Sequence, residues 1–225
     1  MTLNSPYPAT VPLFPLTGVL LLPGAHIPLH IFENRYRNMI EDALAEDEPY
    51  IGVIQPLVPK QDNAPDPDLP VVDDPDLYGV GCLGLVEHWE RLPDGRYVTL
   101  IKGTRRFRCV RELPMHRGYR RMQVEYDEFE LDETESEIQP DRLMRALRSF
   151  ADSHQISLEF DRLSQLSGRT LLNSMAMALP FAPAEKQALL EATDISQRYD
   201  TLLALMDMGV DLQQEGGDAP PPMTN

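Results

Sequence analysis

The sequence predicts an α+β protein: a β-rich first half, closed or nearly closed into a barrel, with an α-helical bundle appended at its C-terminal side. Three observations predict it. Up to about Leu131, apolar residues alternate with polar ones in short runs punctuated by Gly and Pro. From Asp141 onward the spacing becomes helical, with Leu143, Leu147, Phe150 and Ala151 in one stripe. Between them lies "DETESEIQP", acidic and almost without aliphatic residues, which marks the change of character.

The elements follow in order. "VPLFPLTGVLLLPG" reads as two short strands joined near Thr17-Gly18. In "HIPLHIF" the residues Ile27, Leu29 and Ile31 alternate with His26, Pro28 and His30, the period of a half-buried strand ending near Phe32. A helix follows, with Asn34 as N-cap and Tyr36, Met39, Ile40 and Ala43 as its apolar stripe. Tyr50 to Val58 is a buried strand, and the proline- and acid-rich stretch from Pro59 to Asp76 is a surface loop that buries no core. Strands resume at "LYGVGCLGLVEHWERL", turn at Pro93-Asp94-Gly95, and continue as "RYVTLIKG" and "RRFRCVREL" around Gly103, then as "YRRMQVEYDEFEL". In the second half, Pro180 stops one helix, Pro183 opens the next, and Asp194 caps the last. The barrel core is expected from Leu13, Phe14, Leu20, Leu29, Ile31, Val53, Leu83, Leu85, Leu100, Phe107 and Val124. A second core is expected from Leu143, Leu147, Phe150, Leu171, Leu172, Leu189, Leu202 and Leu205. Each is small for its half, so the helices should dock on the barrel, and the cleft at their junction is the expected recognition surface.

Composition narrows the function. The 225 residues carry a formal charge of -16, which repels nucleic acid and anionic lipid at long range. The apolar stretch from Val11 to Pro23 is interrupted by prolines and preceded by no Lys or Arg, so neither a signal peptide nor a membrane span is expected. Cys82 and Cys109 sit in apolar runs and read as buried thiols; the expected location is the cytoplasm.

Motifs that suggest chemistry have simpler readings. His26 and His30 have the spacing of metal ligands on a helix, but Pro28 between them and the strand period argue against that geometry, and H-E-x-x-H is absent. "GVGCLG" at Gly79–Gly84 matches the dinucleotide fingerprint, yet a hairpin rather than a helix follows, so the glycines are expected to serve a bulge or close packing. There is no G-x-x-x-x-G-K-[ST] loop, no G-x-S-x-G elbow and no Ser–Lys context around Lys60, Lys102 or Lys186. No metal and no cofactor is expected.

Charge is unevenly spread. Ten Lys and Arg residues lie between Arg91 and Arg121, opposed there only by Asp94 and Glu112, whereas Glu125 to Asp141 holds nine acids and no base. The basic hairpin is expected to lie against the acidic segment; the other reading is a basic ridge for an acidic partner or RNA. Trp89, Arg91, Arg96, Lys102, Arg105 and Arg108 are the candidate binding residues on that ridge.

Taken together, "PLFPLTGVLLLPGAHIPLHIFENRYRNMIEDAL", then Gly79, Gly81, Pro93-Asp94-Gly95 and Gly103-x-x-Arg106, then "LPFAPAEKQALLEATDISQRYDTLLALM" resemble the N-terminal, substrate-binding domain of Lon proteases over nearly Pro12 to Met208. The resemblance implies a PUA-like barrel over 8–131, a helical subdomain over 138–212, and a disordered tail over 213–225. It implies a stand-alone member without ATPase or peptidase domains, and so a module that does not catalyse. Its implied partner is an unfolded or partly folded polypeptide or a protein; its alternative is RNA, which PUA-like barrels can bind. Nucleic acid and membrane are not the expected partners, and the oligomeric state is left open. Glu33 and Arg106 fall in matching stretches, and Arg106 is expected to pair with Glu33 or another barrel carboxylate, since a charge in apolar surroundings needs a partner.

Overall fold

The computed structural model describes residues 6–57, 75–129 and 138–217. The expected surface loop, apart from Pro75 and Asp76, and the end of the tail lie outside the described residues. Strands β1 (Thr10–Pro15), β2 (His26–Ile31), β3 (Tyr50–Pro56), β4 (Leu77–Arg91), β5 (Tyr97–His116) and β6 (Tyr119–Glu125) form one sheet, with helix α1 (Asn34–Ala43) between β2 and β3. Helices α2 (Pro140–Ser153), α3 (Phe160–Leu163), α4 (Gly168–Ala178), α5 (Pro183–Glu191) and α6 (Ile195–Gly217) follow, the last running past the boundary expected at 212.

Strand β5 is the spine. Its 20 residues pair with β4 along one edge and, along the other, first with β2 and then with β6. Strand β1 runs parallel to β3 and antiparallel to β6. The ring β5-β4-β3-β1-β6 therefore closes, and β2 stands outside it as an added strand on β5. The two strands expected around Gly103 are one strand, because Gly103 lets the ladder pass close under another backbone. A Cβ there would overlap the Leu22 carbonyl. The glycines of "GVGCLG" likewise lie within β4; a Cβ on Gly81 would meet the Phe107 ring, and the register shifts at Leu83/Gly84. This is close packing and a bulge, not a phosphate cradle.

Two local expectations are corrected. Val19–Leu22 forms no strand; Leu20, Leu21 and Leu22 are buried in succession within the core that the sheet shares with the helices. The N-cap of α1 is Glu33, one residue before Asn34, and its side chain makes no capping bond. Instead Glu33 accepts from Arg35 Nε at 2.9 Å. The caps read for the second half stand: Pro183 opens α5, and Asp194 Oδ1 accepts from Gln197 N at 2.8 Å at the start of α6.

The core divides by sheet face, not by half. One face of the ring gathers Val11, Leu13, Ile54, Leu83, Phe107, Met122 and Val124. Alternate residues of the same strands, including Phe14, Ile51, Val53 and Val80, belong to a single larger cluster that continues through α1 into Leu143, Leu147, Phe150, Leu172, Leu189 and Leu202. Leu29 and Leu205 pack on it only partly buried, as do Leu85 and Leu100 on their strands. The helices thus share a core with the sheet.

Polar bonds fix that docking. Arg106, fully buried on β5, donates from Nη1 to the carbonyls of Leu190 and Ala192 at the C-terminal end of α5, and its guanidinium lies 4.1 Å from the Phe129 ring centroid. Those helix-end carbonyls have no partner within the helix and carry its negative dipole end. Gln187 on α5 donates to Val80 O at 3.2 Å, and Gln55 on β3 donates to Pro183 O at 3.0 Å. Lys186 reaches Gly18 O at 3.0 Å and Met177 O at 3.2 Å, and burial lowers its pKa.

Two substitutions test this architecture by urea denaturation. Gly103→Ala forces a methyl against backbone and should cost about 1–3 kcal/mol. Arg106→Met removes two charge-assisted bonds and leaves buried carbonyls unpaired, and should cost about 3 kcal/mol or more. Wild-type midpoints in either variant would refute the corresponding contact.

Candidate functional site

The six residues expected to bind do not converge. Paired across β4 and β5 they run from the Arg91–Tyr97 end to the Val80–Arg108 end, a span of roughly 37 Å along the strand. Trp89 is exposed and sits 6.2 Å from the Tyr97 ring. Arg91 reaches Glu41 at 3.4 Å, Arg96 reaches Asp94 at 2.7 Å, and Lys102 reaches Glu87 at 3.4 Å. Arg108 reaches Glu128 at 2.5 Å, and its hydrogen bonds hold that carboxyl below its usual pKa. Arg105 is half-buried on β5 opposite Leu83. Among the described residues, Arg91, Arg96, Lys102 and Arg108 are each paired with a carboxylate, from α1, the hairpins or, for Glu128, the acidic segment, of which residues 130–137 lie outside the described residues. Glu87 is shared with His26, whose hydrogen bond at 2.8 Å is the main cause of its lowered pKa. Of the carboxylates offered for Arg106, Glu33 holds Arg35 instead, while Arg106 donates to helix-end carbonyls.

The junction of sheet and helices is largely filled by the shared core. At its rim a cavity of about 520 Å³ remains between Pro23–His26 and α4, lined by small and polar side chains such as Thr170, Asn173 and Ser174. Asn173 spans it by donating to Pro23 O at 3.3 Å.

A more apolar hollow of about 530 Å³ lies between β2 and the β5–β6 hairpin. Phe14, Pro15 and Leu16 at the end of β1 form one wall, Leu29 and His30 on β2 with Phe32 the other, and Tyr36 of α1 the floor, its ring 4.4 Å from Phe14. Met115, Gly118 and Tyr119 of the hairpin close the far side. Phe32 is 63% exposed and Met115 61%, and both stand on the rim. The charges in the lining are already matched: Arg35 with Glu33, and Arg120 with Glu112 through two bonds of 2.7 and 2.8 Å.

The hairpin wall is held firmly. Arg117 and Gly118 form its two-residue loop with φ of 46° and 90°, the left-handed pair that a tight hairpin turn requires. Arg117 also bonds Asp42, Glu41 and Asn38 of α1, while Asn38 donates back to Arg117 O at 2.9 Å. Tyr119 donates to Asp42 Oδ2 at 2.8 Å, and burial, then that bond, raises its pKa to about 12. Sequence reasoning missed Phe32 and Met115. The signal for Phe32 was present: it continues the exposed parity of His26, Pro28 and His30, where an aromatic is out of place.

Residues 10–208 match the family description of the ATP-dependent protease La (LON) substrate-binding domain. The chain belongs to this family. Lon protease 3 of Sorangium cellulosum is 27% identical over 217 residues, which is 90% of this chain but 24% of that protein. The Lon protease of Escherichia coli K12 is 27% identical over 212 residues, 91% of this chain and 25% of that one. The chain spans about a quarter of the length of these curated relatives. Its fold matches the crystal structure of a Lon N-terminal domain protein from Xanthomonas campestris at a TM-score of 0.57 and 26% identity, covering 87% of this chain and 97% of that one. It also matches the N-terminal domain of a Mycobacterium avium complex Lon protease at a TM-score of 0.62 and 17% identity, covering 88% and 98%.

The hairpin wall should respond to acid. The Arg120 bonds hold the Glu112 carboxyl below its usual pKa. A depressed carboxylate stabilises the fold above its unfolded value, about 4.3, and the contribution disappears as pH falls through the folded value. Amide exchange of the β6 residues Tyr119–Gln123, corrected for intrinsic rate, should therefore speed up below about pH 4. Glu112→Gln should remove this dependence; its persistence in that variant would assign the effect elsewhere.

Proposed function

We propose that the protein is a recognition module that holds an apolar segment of another polypeptide in the hollow between β2 and the β5–β6 hairpin. The observation that carries this is the pair of large apolar side chains, Phe32 and Met115, kept more than half exposed on the rim of an apolar concavity whose charges are already paired. An apolar patch bordered by polar groups marks a binding surface, because covering it returns roughly 25 cal/mol per Å². The family description as a substrate-binding domain supports the same reading.

A hollow of about 530 Å³ takes a few side chains, which suits an unfolded or partly folded chain better than a broad folded surface. On this reading the module, with its barrel over 8–131 and helices over 138–212, binds and does not catalyse, and needs no metal or cofactor. RNA is disfavoured, since Arg91, Arg96 and Arg108 meet the protein's own carboxylates, Arg106 is buried on helix-end carbonyls, and the net charge is -16. No helix among the described residues is long and apolar enough to cross a membrane. Both cysteines are thiols outside any disulfide, which accords with a cytoplasmic site of action.

The test uses a permanently unfolded protein, reduced and carboxymethylated lactalbumin, as probe. Phe32→Asp combined with Met115→Asp should weaken its binding by about tenfold or more while leaving the melting temperature in place. Undiminished binding by a folded double variant would move the site elsewhere.

A further inference from the structure

We infer that the bound segment enters as an added β-strand along the outward edge of β2. This rests on the recognition reading above and adds the manner of binding. Among the described residues β2 pairs with β5 alone. Gly103 N donates to Ala25 O at 2.8 Å, and the register continues as Ile27 with Ile101, Leu29 with Thr99 and Ile31 with Tyr97. In an antiparallel ladder every second residue exchanges its bonds with the partner, so Ala25, Ile27, Leu29 and Ile31 face β5. The backbone groups of His26, Pro28 and His30 then face outward, and all three residues are exposed. Pro28 fits this assignment, because its missing N–H is tolerated on an outward edge and would break an inward ladder.

The edge offers the N–H groups of His26 and His30 and the carbonyls of His26, Pro28 and His30, repeating at about 6.8 Å, the period of an extended chain. It also leads into the hollow. His30 and Phe32 line the near wall, and Phe14 and Pro15 line the far one. Those two β1 residues lie beyond the point where pairing with β6 ends, at Leu13. A strand beside β2 therefore places its next apolar side chain between Phe32 and Met115.

Charge selects the occupant. The lining is neutral in pairs, whereas the whole protein carries -16. The complementary segment is apolar at alternate positions and flanked by Lys or Arg. A second copy of this chain, equally acidic, is repelled.

The probe is a synthetic peptide of about ten residues, alternating Leu or Val with Ser and ending in lysines, read by fluorescence anisotropy with wild-type protein. N-methylation of its backbone at one parity should weaken binding by about tenfold or more, and at the other parity should not, because only one set of amides faces β2. In the complex, the amides of His26 and His30 should exchange about tenfold or more slowly. Replacing the lysines by Asp should abolish tight binding at low salt. If the parent peptide binds but both methylated series bind equally and those two amides are unchanged, strand addition is wrong while recognition stands. If neither this peptide nor unfolded lactalbumin binds, the recognition reading fails and this inference with it. Protection of His26 and His30 that rises with protein concentration alone would assign the edge to a dimer and overturn the inference.

Discussion

One buried cation organises this molecule. Arg106 leaves the middle of the longest strand, crosses the layer between sheet and helices, and ends on the open carbonyls of α5. A guanidinium without water is tolerable only where its donors are met, and a helix C-terminus is a ready acceptor of fixed direction. The bond therefore sets where α5 lies against β5. Gln187 and Lys186 on the same helix then fall opposite Val80 O and Gly18 O. Apolar burial supplies the bulk of the attraction between the layers, but it is non-directional; these few polar contacts choose the orientation.

This explains which parts of the structure were legible in the sequence. Alternation, turn residues and helix starts act locally, so the strands, the Pro183 and Asp194 helix starts and the role of the β4 glycines could be read directly. The Leu20–Leu22 run could not, because three adjacent apolar residues fit either a strand or a filler between layers, and only the layers decide. The need of Arg106 for a partner is legible, but the partners described for it include backbone carbonyls far along the chain, which no residue type advertises. The basic run was expected to be neutralised by the acidic segment; among the described residues Glu41, Asp42 and Glu87 also take part, and periodicity could not have pointed to them. The hollow escaped notice because its walls come from β1, β2, α1 and a hairpin, and closure of the ring is what brings them together.

The same geometry separates two roles that the sequence does not distinguish. The conspicuous charges are spent on internal order: Arg117 pins the hairpin to α1, and Arg120 steadies it through Glu112. The inconspicuous apolar residues, Phe32 and Met115, are left facing water. A rigid, charge-tied frame around a small apolar opening loses little freedom when the opening is filled, so binding energy is not consumed in ordering the receptor.

Closure of the ring also has a consequence for how the protein is made. Thr10 pairs with Gln123, so β1 finds one of its two neighbours only after all the strands between them have been synthesised. Until β6 leaves the ribosome, β1 and the leucines behind it have no complete shelter. Such distant pairing makes closure slow and leaves an apolar N-terminal segment open to other chains in the interval. During its own synthesis the chain therefore passes through a stage at which its apolar first strand is as open as any unfolded segment.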